Sequence, residues 1–330
     1  MGCTGGVQGA VQPVALVLLV WCLASAHNRI LRSVNMRLAA CASLLALFAL
    51  ACLSQAAPFP LSSWPNPAVS WWYSPDNNWP LMIDQVAAHP SVVSSVMVYC
   101  GPEVSDEGTI VGSISDLCVG AGGGNIFEEL IALGIRPELV LNSGNCSIDA
   151  YRTLWTQNAN VSIATLVSMA VSTNASGWNI DLEPQADNCQ GGGTGEASDA
   201  ALFASWLTSL RSALHAVGVR LTVDVASWSP VLSQFTTLAP SVDRLMDMDT
   251  YNADSLEGWL STYGLMGNSA VPRSVAGIGL GCWVDASTNG TWSVTPEAAT
   301  QRIAQSVSDG VPELAMFRLV PVTGLCVVAW

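Results

Sequence analysis

Between Ala68 and Pro321 the sequence alternates eight times between a short β-like run and a helix-like run. The β-like runs are AVSWWYS (68–74), VVSSVMVYC (92–100), RPELVLNSG (136–144), GWNIDLEP (177–184), VRLTVDVASWSP (219–230), VDRLMDMDTYN (242–252), VAGIGLGCWVD (275–285) and ELAMFRLVP (313–321). The segments between them read as helices. The clearest, ASDAALFASWLTSLRSALHAVG, repeats its apolar residues at three and four and stops at Gly218. Strands separated by helices imply a parallel sheet with right-handed crossovers. Eight such units in one domain of about 270 residues fit a closed α/β barrel, the (β/α)8 or TIM barrel, at ~250 residues. No G-x-G-x-x-G follows the first strand, which argues against a dinucleotide fold.

The domain is expected over 58–330, after a leader over 1–57. The leader has no acidic residue and only Arg29, Arg32 and Arg37 as cations. Its run VALVLLVWCLASA is too short to span a bilayer, which needs ~20 residues. The run after Met36-Arg37 ends in Ser54-Gln55-Ala56 and has the parts of a secretory signal. Met36 is therefore a candidate start. The alternative is a membrane anchor built from both apolar runs.

Residues 58–330 hold all 25 acids, eight Arg and no Lys, a net charge of −17. That charge argues against nucleic acid and anionic membrane surfaces as partners. Six Cys (Cys100, Cys118, Cys146, Cys189, Cys282, Cys326) show no C-x-x-C pair. Disulfides are expected rather than zinc, with 15 pairings open. No cofactor is expected. Four N-x-S/T sequons, at Asn145, Asn160, Asn174 and Asn289, fit a secreted or lumenal glycoprotein, expected to be a monomer.

Side chains two apart on a strand share a face. In the fourth run Asn179, Asp181 and Glu183 share one face and Trp178, Ile180 and Leu182 the other. Carboxylates facing a barrel interior are costly unless paired, so fold stability alone would place Val or Ile there. The same spacing aligns Thr222, Asp224, Ala226 and Trp228. It also aligns Asp247, Asp249 and Tyr251, and then Gly277, Gly279, Gly281 and Trp283. Any one acid could be a capping or salt-bridged residue. Together they converge on the C-terminal mouth, where barrel enzymes carry their chemistry. Crowded acids push one another's pKa values apart, which favours a general acid. Glu183, furthest along its strand, is the expected acid, with Asp181 one pleat deeper as its partner. Trp72, Trp228 and Trp283 suit stacking on sugar rings. Asn142, at the end of the third run, is a further candidate for contact with substrate.

The segment GWNIDLE resembles the D-G-x-D-x-D-x-E strand of glycoside hydrolase family 18, the chitinase family. With SWSP, it is closest to the di-N-acetylchitobiase-like branch. MDTYN resembles the family's M-x-Y-D strand and GIGLGCW its seventh. The resemblance implies retaining, substrate-assisted hydrolysis of a β-linked, N-acetylated sugar without a protein nucleophile. It makes Glu183 the acid/base, Asp181 the holder of the acetamide N–H and Tyr251 the donor to its carbonyl. Asn179 would line the same site. Ser176 and Asn179 occupy the first two acid positions of the motif. Asp249 stands where Met is usual and Asn252 where Asp is usual. Arg318 stands where an indole usually floors the site, with Trp228 or Trp283 as its replacement. A catalytically silent glycan-binding barrel is the alternative, and a barrel hydrolase with Asp224 or Asp249 as nucleophile is a third reading.

Overall fold

The chain divides into two units, Met1–Gln55 and Ala56–Trp330. The computed structural model describes residues 59–61, 64–73, 79–114, 118, 124–143, 147–184, 193–251, 256–267, 270–281, 284–285, 291–292 and 296–317. The expected leader lies outside the described residues.

Eight strands follow the predicted runs: β1 (Ala68–Tyr73), β2 (Ser95–Val98), β3 (Arg136–Asn142), β4 (Gly177–Asp181), β5 (Arg220–Val225), β6 (Arg244–Asp247), β7 (Ala276–Gly281) and β8 (Glu313–Phe317). Each pairs in parallel with the next, and β8 pairs back onto β1. The sheet therefore closes into the expected (β/α)8 barrel. The helices are α1 (Trp79–Ala88), α2 (Ile126–Ala132), α3 (Ile148–Trp155), α4 (Ala159–Thr173), α5 (Asp199–His215), α6 (Phe235–Leu238), α7 (Leu256–Gly267) and α8 (Pro296–Ser308). Ser147 caps α3 by accepting from the Ala150 amide. Gly134 and Gly218, both at φ +78°, end α2 and α5 as the sequence predicts.

The strand register decides which side chains enter the barrel. On the outer face of β4, Trp178 and Ile180 are buried under the helices, and the Trp178 indole donates to Leu166 O of α4 at 2.9 Å. The inner faces stack in layers. The lowest holds Ser70, Ser95, Glu138, Arg220, Arg244 and Glu313. Here Arg220 donates to both oxygens of Glu138 (2.9 and 2.6 Å) and of Glu313 (2.8 and 2.7 Å). Trp64 lies across the guanidinium, with Cζ 3.4 Å from the ring centroid. Gly177 makes room, because a Cβ there would lie 2.5 Å from Glu138 Oε2. The layer above is apolar: Trp72, Met97, Val140, Met246 and Ala315 form one buried cluster. The polar row of the candidate site rests on it. A disulfide joins Cys100 to Cys118, and the other four expected Cys lie outside the described residues.

Candidate active site

Asn179 and Asp181 project inward from β4, as its alternation predicts. Glu183 follows two residues beyond the paired strand and is half-buried at the C-terminal mouth. Its backbone is pinned from the neighbouring strand. The Glu183 amide donates to Ser143 Oγ at 2.8 Å, and that hydroxyl donates to Asp181 O at 3.2 Å. Asn142, the register partner of Asp181, accepts from the Ser143 amide through its Oδ1. Asn142 thus positions Ser143, and Ser143 positions the acid-bearing segment.

Asn179 Nδ2 donates to Asp224 Oδ1 at 2.9 Å and to Thr222 Oγ1 at 3.1 Å. Both acceptors come from β5. Burial pushes Asp224 up to about 7, against the Asn179 hydrogen bond and with help from the charges of Glu183 and Glu138. Asp224 therefore holds a proton near neutrality, within reach of the field of Glu183.

Tyr251 is buried at the same mouth. Its phenol is pushed well above its ordinary value by burial, and then by Asp224, Asp181, Glu183 and Asp247. It stays a neutral O–H donor surrounded by acids. Its place depends on glycine: a Cβ on Gly279 would run into the Tyr251 ring. At Gly277 and Gly279 β7 thus leaves the space the sequence implied, and Met246 and Tyr251 fill it.

Two expected alignments differ, and Trp72 lies deeper than expected. Asp247, Asp249 and Tyr251 do not share one strand face. In β6 the inward residues are Arg244 and Met246. Asp247 pairs in register with Val225 and Ile278, whose side chains lie in the core outside the barrel. Its Oδ1 accepts from the Asp249 amide at 3.0 Å and opens a 3-10 turn over Met248–Thr250, so the alternation stops there. Burial and the Asp249 charge still raise the Asp247 carboxyl well above its ordinary value, against the Asp249 amide. Asp249 turns away and accepts from the Ser227 amide at 2.6 Å. Trp228 is not on a continuation of β5. The strand ends at Val225, and a turn carries Trp228 to the surface, 46% exposed. Trp72 points inward but belongs to the apolar layer, at 7% exposure. Asn252, Trp283 and Arg318 lie outside the described residues.

The sequence reading missed Ser143 and the Glu138–Arg220–Glu313 network. Burial raises Glu138 against the pull of Arg220. Burial works the same way on Glu313, but Arg220, Ser70 and Arg244 overcome it and hold Glu313 below its usual range.

No family model and no curated protein matches the chain in sequence. Solved structures do match. The spore cortex-lytic enzyme SleL of Bacillus megaterium superposes with a TM-score of 0.62 at 10% identity, over 81% of this chain and 74% of that one. A chitinase from Chromobacterium violaceum gives 0.60 at 16% identity, over 80% and 97%. The Group IV chitinase of Ostrinia furnacalis gives 0.57 at 14% identity, over 76% and 92%. The chain has a chitinase-like barrel fold. In this chitinase-like barrel the Asp181–Glu183 end of β4 opens at the C-terminal mouth, the usual location of chemistry in such barrels.

Proposed function

We propose that the protein is a secreted or lumenal glycoside hydrolase that cleaves β-linked, N-acetylated sugars with retention of configuration. The observation that carries this reading is the convergence of Asp181, Glu183 and a neutral Tyr251 at one end of the barrel, with Asn179 and Asp224 packed beside them. The chitinase-like fold supports it, as does the resemblance of GWNIDLE to the family 18 strand, of the chitobiase-like branch in particular. The leader and the sequons support passage through the secretory lumen.

The reaction uses the substrate's own acetamide as nucleophile. Its carbonyl oxygen attacks the anomeric carbon. Glu183 gives its proton to the leaving glycosidic oxygen as that bond breaks. Asp181 accepts the acetamide N–H and stabilises the positive oxazolinium. Tyr251 donates to the acetamide oxygen and orients it for attack. Water then opens the oxazolinium, and Glu183 takes its proton back. Two inversions at one carbon leave the β configuration.

The test is the anomer first formed from chito-oligosaccharides, followed by proton NMR before mutarotation. The β anomer is expected. The α anomer would exclude the substrate-assisted route. Binding without turnover would favour the silent glycan-binding barrel.

A further inference from the structure

The outer face of α4 is unusual for this chain. From Thr153 to Ile180 the sequence has no charged residue, and α4 (ANVSIATLVSMAVST) lies wholly inside that stretch. Every other helix of seven residues or more among the described residues carries at least one charge. The outward side of α4 carries Asn160, Val161, Ala164, Thr165, Ser168 and Met169. Val161 is 69% exposed. An uncharged, partly apolar face of this kind calls for a cover or a partner.

Two sequons bracket it. Asn160 sits in the first turn of α4, and Asn174 is its C-cap at φ +54°. Both are exposed. Fourteen residues at ~1.5 Å rise place them ~21 Å apart, one at each end of the face. Asn160 is itself part of that face, so a group attached there starts on the surface to be covered. The sequons at Asn145 and Asn289 lie outside the described residues.

The hydroxyls that complete the two motifs are inaccessible. Ser162 is 2% exposed; its Oγ donates to Ala159 O at 2.9 Å and accepts from the Trp206 indole at 3.0 Å. Ser176 is 1% exposed, and its backbone is paired on both sides, to Pro137 O and from the Arg220 amide. An enzyme that reads the Ser hydroxyl can reach it only before the barrel closes.

We propose that Asn160 and Asn174 carry N-linked glycans, attached before folding, and that these glycans cover the uncharged face of α4. The inference rests on the reading that the chain enters the secretory lumen. There the donor is an oligosaccharide on a lipid pyrophosphate. Each Asn Nδ2 forms a bond to C1 of the oligosaccharide. The bond from C1 to the pyrophosphate oxygen breaks, the lipid pyrophosphate leaves, and the amide loses one proton. No redox partner is involved. Polar glycan then supplies the solvation that charged side chains give the other helices.

The experiment is glycopeptide mass spectrometry of the full chain made in a eukaryotic secretory host. Glycans at both Asn160 and Asn174 are expected. A chain recovered from the lumen or medium bare at both positions overturns the proposal while leaving secretion intact. A chain digested by protease outside intact vesicles overturns secretion and the proposal with it. Chains synthesised while transfer is blocked, then released from the block after folding, should stay unmodified; modification at that stage overturns attachment before folding. The double variant Asn160→Gln with Asn174→Gly keeps the αL turn and removes both sites. It should self-associate at concentrations where the glycosylated chain is monomeric. Equal monomeric behaviour overturns the covering role.

Discussion

Asn179 Nδ2 lies 2.9 Å from Asp224 Oδ1, so the inward-facing amide of β4 donates to a carboxyl group on the adjacent strand. The pair ties the inner row of β4, one pleat below Asp181, to the neighbouring strand.

Asp224 sets a pH dependence. Its carboxyl is raised from 3.8 to about 7 in the folded chain. Between those values the folded state binds more protons than the unfolded one, so this group's contribution is full below about pH 4 and is lost as pH rises through about 7. At about 1.4 kcal/mol per pH unit the loss is capped near ~4 kcal/mol. Asp224→Asn removes the titration and keeps an acceptor for Asn179. The variant should gain stability relative to wild type as pH goes from 4 to 7.5, measured by urea unfolding. A difference that is flat with pH would contradict the assignment.

Ser143 should act through the backbone of Glu183. In Ser143→Ala the Glu183 amide loses its acceptor and the Asp181 carbonyl loses a donor. Stability should fall by only about 1–2 kcal/mol. Turnover should fall about tenfold with KM little changed, because the acid is misplaced while the binding surface remains. An unchanged kcat would mean that the segment holds its place without Ser143.

Gly279 should behave as a positioning residue for Tyr251. Tyr251→Phe removes one preorganised donor, a loss of roughly 10²-fold in kcat. Gly279→Ala pushes the ring aside and should reproduce that loss, although no catalytic group is changed. Wild-type activity in Gly279→Ala would show that the phenol is not needed where it sits.

Arg220→Leu tests the lowest layer. Removing the cation leaves Glu138 and Glu313 buried without their shared partner, at a cost of about 3–5 kcal/mol. Thermal unfolding should move down by several degrees or more. The triple change with Glu138→Gln and Glu313→Gln should recover part of that loss, because no carboxylate is then stranded.

The barrel was legible because two periods alternate eight times, and the inward row of β4 was legible because Trp178 and Ile180 are unambiguous core residues. The sixth strand was not. In LMDMDTY both frames alternate well, and the choice is made by partners far away. Arg244 pairs in register with Thr222, and the missing Cβ of Gly277 leaves the space that the Met246 sulfur fills. The Glu138–Arg220–Glu313 network was hidden for a related reason. Its members are separated by 82 and 93 residues and meet only when the sheet closes. Trp228 was misread because the turn after β5 is set by Asp249 accepting from the Ser227 amide, a contact across two loops.

As the proposed acid/base of a sugar hydrolysis, Glu183 is the residue on which turnover should depend most. The most direct measurement compares wild type and Glu183→Gln for turnover and for binding on a panel of chito-oligosaccharides and N-acetylated glycans. Wild type should release sugar, the variant should fall by about 10²–10⁴-fold, and binding should be retained within a few-fold. No release by wild type from any member of the panel, or equal release by both proteins, would contradict that role.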